Sequence, residues 1–161
     1  MKKIFAILVL VTMSVAAFAQ SGRDIYNKYS DEAGVSSVYI SPAMFRLIGK
    51  IPDVSLEGKD VNFSTIIKSM SGFYIISSSN PYIADGLYSD VKKYIQSGTY
   101  ELLMEAKDNG EVMRMYTAGD EKTVSSFVMI AKDDEEVSFI SFDGKMDRDE
   151  LETLIAEAAA D

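Results

Sequence analysis

The 161-residue chain contains no cysteine, no histidine and no tryptophan, and only three prolines. Without cysteine there is no disulfide, no thiol nucleophile and no thiolate metal site. Without histidine the commonest general base, zinc ligand and triad member are missing. No glycine-rich phosphate loop occurs, and nothing marks out one acid–base pair among the 25 Asp and Glu residues. No spacing points to a serine–lysine nucleophile. Bases are scarce as well: 16 Lys and Arg give a formal charge of −9. An acidic balance of this kind argues against nucleic acid and anionic lipid as partners. The sequence therefore names no catalytic residue, no cofactor-binding residue and no metal ligand, and an enzyme is not expected.

Long apolar runs are confined to one place. Lys2 and Lys3 precede the unbroken run Ile4–Val11, and uncharged residues continue to Ala17-Phe18-Ala19. A basic start, an apolar stretch and an A-x-A site are the marks of a cleavable export signal. The stretch is short for a membrane span, which takes about 20 apolar residues. No cysteine follows the cleavage site, so lipid anchoring by the bacterial lipoprotein route is not expected. Residues 1–19 are read as a signal peptide and residues 20–161 as one domain, periplasmic or secreted. Losing Lys2 and Lys3 makes the remainder more acidic still. With no disulfide available, a packed core has to stabilise it.

The densest β-forming stretch runs from Tyr100 to Phe142. Four strands are expected there: Tyr100–Lys107, Glu111–Thr117, Thr123–Lys132 and Glu136–Phe142. Asn109-Gly110 suits a two-residue type I′ turn, because both positions need positive φ. That turn pairs Asp108 with Glu111, Ala106 with Met113, Glu105 with Arg114 and Met104 with Met115. Leu102, Met104, Ala106, Met113 and Met115 then share an apolar face, expected to be the core side. Glu105 and Arg114 meet on the other face as a cross-strand ion pair, structural rather than catalytic. In the second hairpin both faces are apolar: Phe127, Met129 and Ala131 against Val128 and Ile130, with Ile140 and Phe142 against Val137 and Phe139. Such strands are covered on both sides, by helices or by a partner. The tip, Asp133–Glu136, reads as a solvated acidic turn that blocks edge aggregation.

Ahead of this meander, Gly22–Glu32 reads as a short helix and Val35–Ser41 as a strand. Ser41-Pro42 opens a helix that Gly49 closes, and Ile51–Gly58 is a connection. Asp60–Met70 is helical, with Phe63, Ile66, Ile67 and Met70 on one face. Phe73–Ser77 is a short buried strand. Asn80-Pro81 starts a helix to Ser97, with Ile83, Leu87, Val91, Tyr94 and Ile95 on one side and Gly98 after its end. Gly86 inside it costs about 1 kcal/mol relative to alanine. At the C-terminus, Asp147 and Glu150 have capping-box spacing, followed by a stripe of Leu151, Leu154, Ile155 and Ala158.

Two motifs need weighing. Asp143-Gly144-Lys145-Met146-Asp147, with Glu150, matches the second half of an EF-hand loop. The first half fails, because Phe139 and Ser141 fall at its first and third positions. A strand, a turn and a capped helix account for the same residues. Tyr26, Tyr29, Tyr88 and Tyr116 are candidates for partial exposure, and exposed tyrosine clusters mark binding surfaces; scattered tyrosines at core edges are commoner.

Two stretches together resemble a known family. One is Lys28-Tyr29-Ser30 through Val38-Tyr39-Ile40-Ser41 and Met44. The other comprises Tyr100–Glu105, Val128-Met129-Ile130 and Val137–Asp147. They are similar to the domain-of-unknown-function 4252 family, small exported proteins of Gram-negative bacteria. The resemblance implies no catalytic residues. It implies an envelope-stress or signalling setting, since members lie near sigma-factor genes.

The expected fold is α+β: a mixed, mostly antiparallel sheet of about six strands with a C-terminal four-strand meander, helices packed on the sheet. The expected function is a non-enzymatic interaction or envelope-signalling module, partnered by an envelope protein or a second copy. The candidate surface is the outer face of the Tyr100–Thr117 hairpin, with Leu103, Val112 and Tyr116. The alternative is a periplasmic carrier for a small apolar ligand or peptide.

Overall fold

The computed structural model describes residues 21–48 and 68–159. The expected signal peptide, the connection Ile51–Gly58 and positions 60–67 of the expected helix lie outside these residues. In chain order the elements are α1 (Gly22–Tyr29), β1 (Val35–Ile40), α2 (Pro42–Ile48), β2 (Met70–Ser78), α3 (Pro81–Ser97), β3 (Tyr100–Asp108), β4 (Glu111–Gly119), β5 (Thr123–Lys132), β6 (Val137–Asp147) and α4 (Arg148–Ala159). Six strands form one sheet in the order β1-β2-β6-β5-β4-β3. Every neighbouring pair is antiparallel, so the sheet has no parallel component. The four-strand meander β3–β6 forms as expected, and the β1–β2 pair joins it along β6.

Local signals place most of the ends. Ser21 caps α1 by accepting the Asp24 amide at 3.2 Å, while its own amide donates to Asp24 Oδ2 at 2.7 Å. Asn80 Oδ1 accepts the Tyr82 amide, with Pro81 at the first helical position. Asp147 Oδ1 accepts the amides of Asp149 and Glu150 at the start of α4. In that last helix Leu151 is half-buried; Leu154, Ile155 and Ala158 lie outside the described side chains. Gly86 does not interrupt α3, because Ala84, Leu87, Val91 and Tyr94 bury the helix around it. A side chain at Gly86 would also press on Tyr29, whose Oη lies 3.2 Å from the Cβ position.

The core lies between one face of the sheet and helices α1 and α3. Ile25 and Tyr29 of α1 and Ala84, Leu87, Val91 and Tyr94 of α3 pack on Ile76, Val128, Ile130, Val137 and Phe139. The ladder gives this face a readable row: Ser37, Ile76, Phe139, Ile130, Arg114 and Glu105 lie side by side across six strands. Ser37 at one end is exposed; exposure falls to 0% at Ile76 and Phe139 and rises again to 25% and 32% for the Arg114 and Glu105 side chains. The helices cover the inner strands and reach β3 at Tyr100, leaving its Glu105 end open.

This reverses the expected core face of the first hairpin. Met104 and Met115 share a row with Met129, Ile140 and Ile75 on the face opposite α1 and α3, and Met104 is 45% exposed. The ion pair lies on the helix-bearing face instead. Alternation divides a strand into two faces, but the docking of helices outside the strand decides which face is the core. Expectation and structure differ at β6 too. Asp143–Asp147 continues the strand rather than turning, because Thr123 and Val124 of β5 extend to pair with Asp147 and Met146. Met70 opens β2 rather than closing the preceding helix, of which positions 68 and 69 are described as helical. On the second hairpin, Val128 and Phe139 are buried by helices. Phe127 and Phe142 on the other face are half-buried and stack at 4.8 Å.

Candidate functional site

The hairpin β3–β4 forms with the expected turn: Asn109 has φ 43° and Gly110 φ 97°. Pairing follows the expected register from Asp108–Glu111 to Met104–Met115, and then slips. Leu103 is an extra residue, so Leu102 pairs with Tyr116. Such a bulge bends an edge strand and breaks its hydrogen-bonding template. Among the described residues, strand β3 has β4 as its one neighbour, and at the bulge it presents three large apolar side chains in succession. Leu102 is 54% exposed, Leu103 49% and Met104 45%. Of the expected surface residues, only Leu103 is exposed. Val112 and Tyr116 are half-buried on the helix-bearing face, where they pair with Lys132 and Val128. The candidate surface is therefore the β3 edge, not an outer face of the hairpin.

Charged residues flank that edge. Arg114 Nε donates to Glu105 Oε2 at 2.6 Å, and Lys107 Nζ lies 2.8 Å from Glu105 Oε1. Hydrogen bonds from Lys107 and Arg114 hold the Glu105 carboxyl below the usual range. Arg114 Nη1 donates to the Tyr88 hydroxyl, which ties β4 to α3. Lys132 Nζ sits 5.5 Å from the Tyr88 ring centroid and 2.7 Å from Asp85 Oδ1.

Between α3 and the margin of the sheet runs a groove of about 270 Å3. Tyr88, Lys92, Ile95 and Gln96 form its helical wall, with Arg114 and Tyr116 opposite. Among the tyrosines considered for exposure, Tyr88 and Tyr116 line this groove. Tyr29 is buried and bonded to Asp90, and Tyr26 packs on Tyr39 and Tyr74. Sequence reading missed the groove because its two walls come from different elements, a helix and a strand, brought together only by packing. The one available cue was an arginine on a strand whose alternate positions turn toward the helices.

A polar chain runs through the interior near α1. Tyr94 and Tyr100 share a hydroxyl–hydroxyl contact. Tyr100 donates to Ser126 Oγ at 3.0 Å, and Ser126 donates to Asp143 Oδ1 at 3.0 Å. Burial pushes the Asp143 carboxyl up, against the Ser126 hydrogen bond that lowers it. Asp143, the residue that suggested a calcium loop, is thus committed to an internal hydroxyl chain. Among the described residues, no cluster of acidic side chains is arranged to hold a metal ion. No helix among them is long and apolar enough to cross a membrane.

No curated protein and no solved structure matches this chain. A family model, domain of unknown function DUF4252, matches residues 29–154. That span runs from the last residue of α1 into α4 and includes all six strands. The chain belongs to the DUF4252 family.

Proposed function

We propose that this chain is an exported, non-enzymatic interaction module of the bacterial envelope that binds a partner protein through the β3 edge. Export rests on the leader at residues 1–19. The absence of histidine and cysteine leaves little for catalysis to use. The observation that carries the reading is the run Leu102-Leu103-Met104, three large apolar side chains about half exposed on an edge strand. Edges are ordinarily blunted by charge and bulges. Here Glu105 and Lys107 protect the half nearest the turn, while Leu102–Met104, around the bulge, stay apolar. Protection on one side and exposure on the other suits a selective partner better than promiscuous strand pairing.

The test is a photo-crosslinking amino acid at Leu103, in the native host. The same group at Tyr82, which is 91% exposed on α3, controls for random encounter. A discrete adduct at position 103, absent at position 82 and lost in Leu102→Glu, is expected in the envelope fraction. Equal labelling at the two positions sinks the β3-edge reading. Recovery of the protein in the cytoplasm with residues 1–19 still attached sinks the export reading.

A further inference from the structure

We propose that the groove between α3 and β4 is a binding site for a small amphiphilic anion, an apolar body carrying one carboxylate, of the medium-chain fatty acid type. This goes beyond the β3-edge reading and does not depend on it. The groove exists because α3 covers β2, β6 and β5 but meets β3 at its first residue, Tyr100, so the helix flank and the uncovered strip of sheet beyond it meet at an angle. Its floor is apolar: Val91 and Ile130 are 1% and 4% exposed, with Ile95 and Tyr116 beside them. A volume of about 270 Å3 holds on the order of ten heavy atoms, given about 30 Å3 per water. It is too small for a folded partner or an extended peptide and suits a short chain.

Charge selects the head group. The charged residues that line the groove are Lys92 and Arg114. Both are cationic, in a chain whose formal charge is −9. Glu105 stands just behind Arg114, but it is already engaged by Arg114 Nε and Lys107. Arg114 commits Nε to Glu105 and one N–H of Nη1 to Tyr88, two of the five donors a guanidinium carries. Lys92 makes no ion pair among the described residues. An anionic head at this rim meets free donors, while its tail displaces water from the apolar floor. Cationic or doubly polar ligands gain neither.

The test is a titration of the isotope-labelled protein with decanoate below its micelle concentration, followed by amide chemical shifts. Decanol serves as the uncharged probe with the same tail. Saturable shifts centred on Val91–Gln96 and Arg114–Tyr116 are expected, with decanol at least about 10-fold weaker. Lys92→Glu lies on an exposed helix position and leaves the core untouched. It should weaken decanoate about 10-fold and decanol little. Leu103→Glu should leave both unchanged, which separates this site from the β3 edge. Shifts elsewhere, no saturable shift, equal affinity for the two probes, or indifference to Lys92→Glu would each overturn the proposal.

Discussion

Ile75 and Ile76 are consecutive, identical in chemistry and assigned to opposite faces of β2. Ile76 is 0% exposed, inside the cluster formed with α1 and α3. Ile75 is half-buried on the other face, paired with Val38 and Ile140. Truncation to alanine removes the same atoms from each. At Ile76 the lost transfer free energy is about 2.4 kcal/mol, at about 0.8 per carbon group. A residual cavity of about 50–70 Å3 adds about 1.2–1.7 kcal/mol at 24 cal/mol per Å3. The expected loss for Ile76→Ala is therefore about 4 kcal/mol. Ile75→Ala forfeits about half the transfer contribution and leaves an open dent, so about 1 kcal/mol is expected. Urea unfolding followed by far-ultraviolet circular dichroism measures both, with an unchanged m-value as the check that only stability moved. In a chain of this size the Ile76 variant should melt about 8–16 °C lower. Equal losses, or a larger loss at Ile75, would refute the assignment of the helix-bearing face.

Two further substitutions probe the interior. Asp143→Asn should stabilise the fold at neutral pH. Burial raises the folded-state carboxyl pKa above its unfolded value. Its contribution is thus fully present below the unfolded pKa and is lost as pH rises through the folded one. The advantage of the asparagine should therefore shrink toward acid pH in denaturation curves; an advantage that grows on acidification would reverse the assigned sign. Ser141→Ala should be neutral or stabilising by up to about 1 kcal/mol, because the buried Ser141 Oγ has no hydrogen-bond partner among the described residues. A loss above about 1 kcal/mol in the same assay would mean the hydroxyl has a partner.

Wherever structure depends on neighbours in sequence, it was legible beforehand. Asn109-Gly110 specifies its turn because positive φ is cheap there, and the register follows from the turn for five pairs, to Met104. Asn80-Pro81 and Gly98 bound α3 because a cap side chain and a missing amide act within one helical turn. The strands of the meander declare themselves by β-branched and aromatic content. The family resemblance was legible for the same reason, being a pattern of apolar strands in order. The chemistry that the chain lacks was also readable, since no fold supplies a histidine or a cysteine.

Contacts between distant segments decided the rest. Met113 and Met115 look more like a core face than Arg114 and Tyr116 do, yet α3 docks over the Arg114 side. The inner strands give it Ile76, Phe139 and Ile130 to pack on. The bulge at Leu103, the extension of β6 through Asp147 and the groove beside Arg114 arise from strand pairing and helix packing that periodicity does not encode. A one-dimensional pattern carries two possible faces for every strand. Only the burial of one of them beneath helices, a cooperative and non-local event, removes that twofold choice and determines which side chains remain for a partner or ligand to meet.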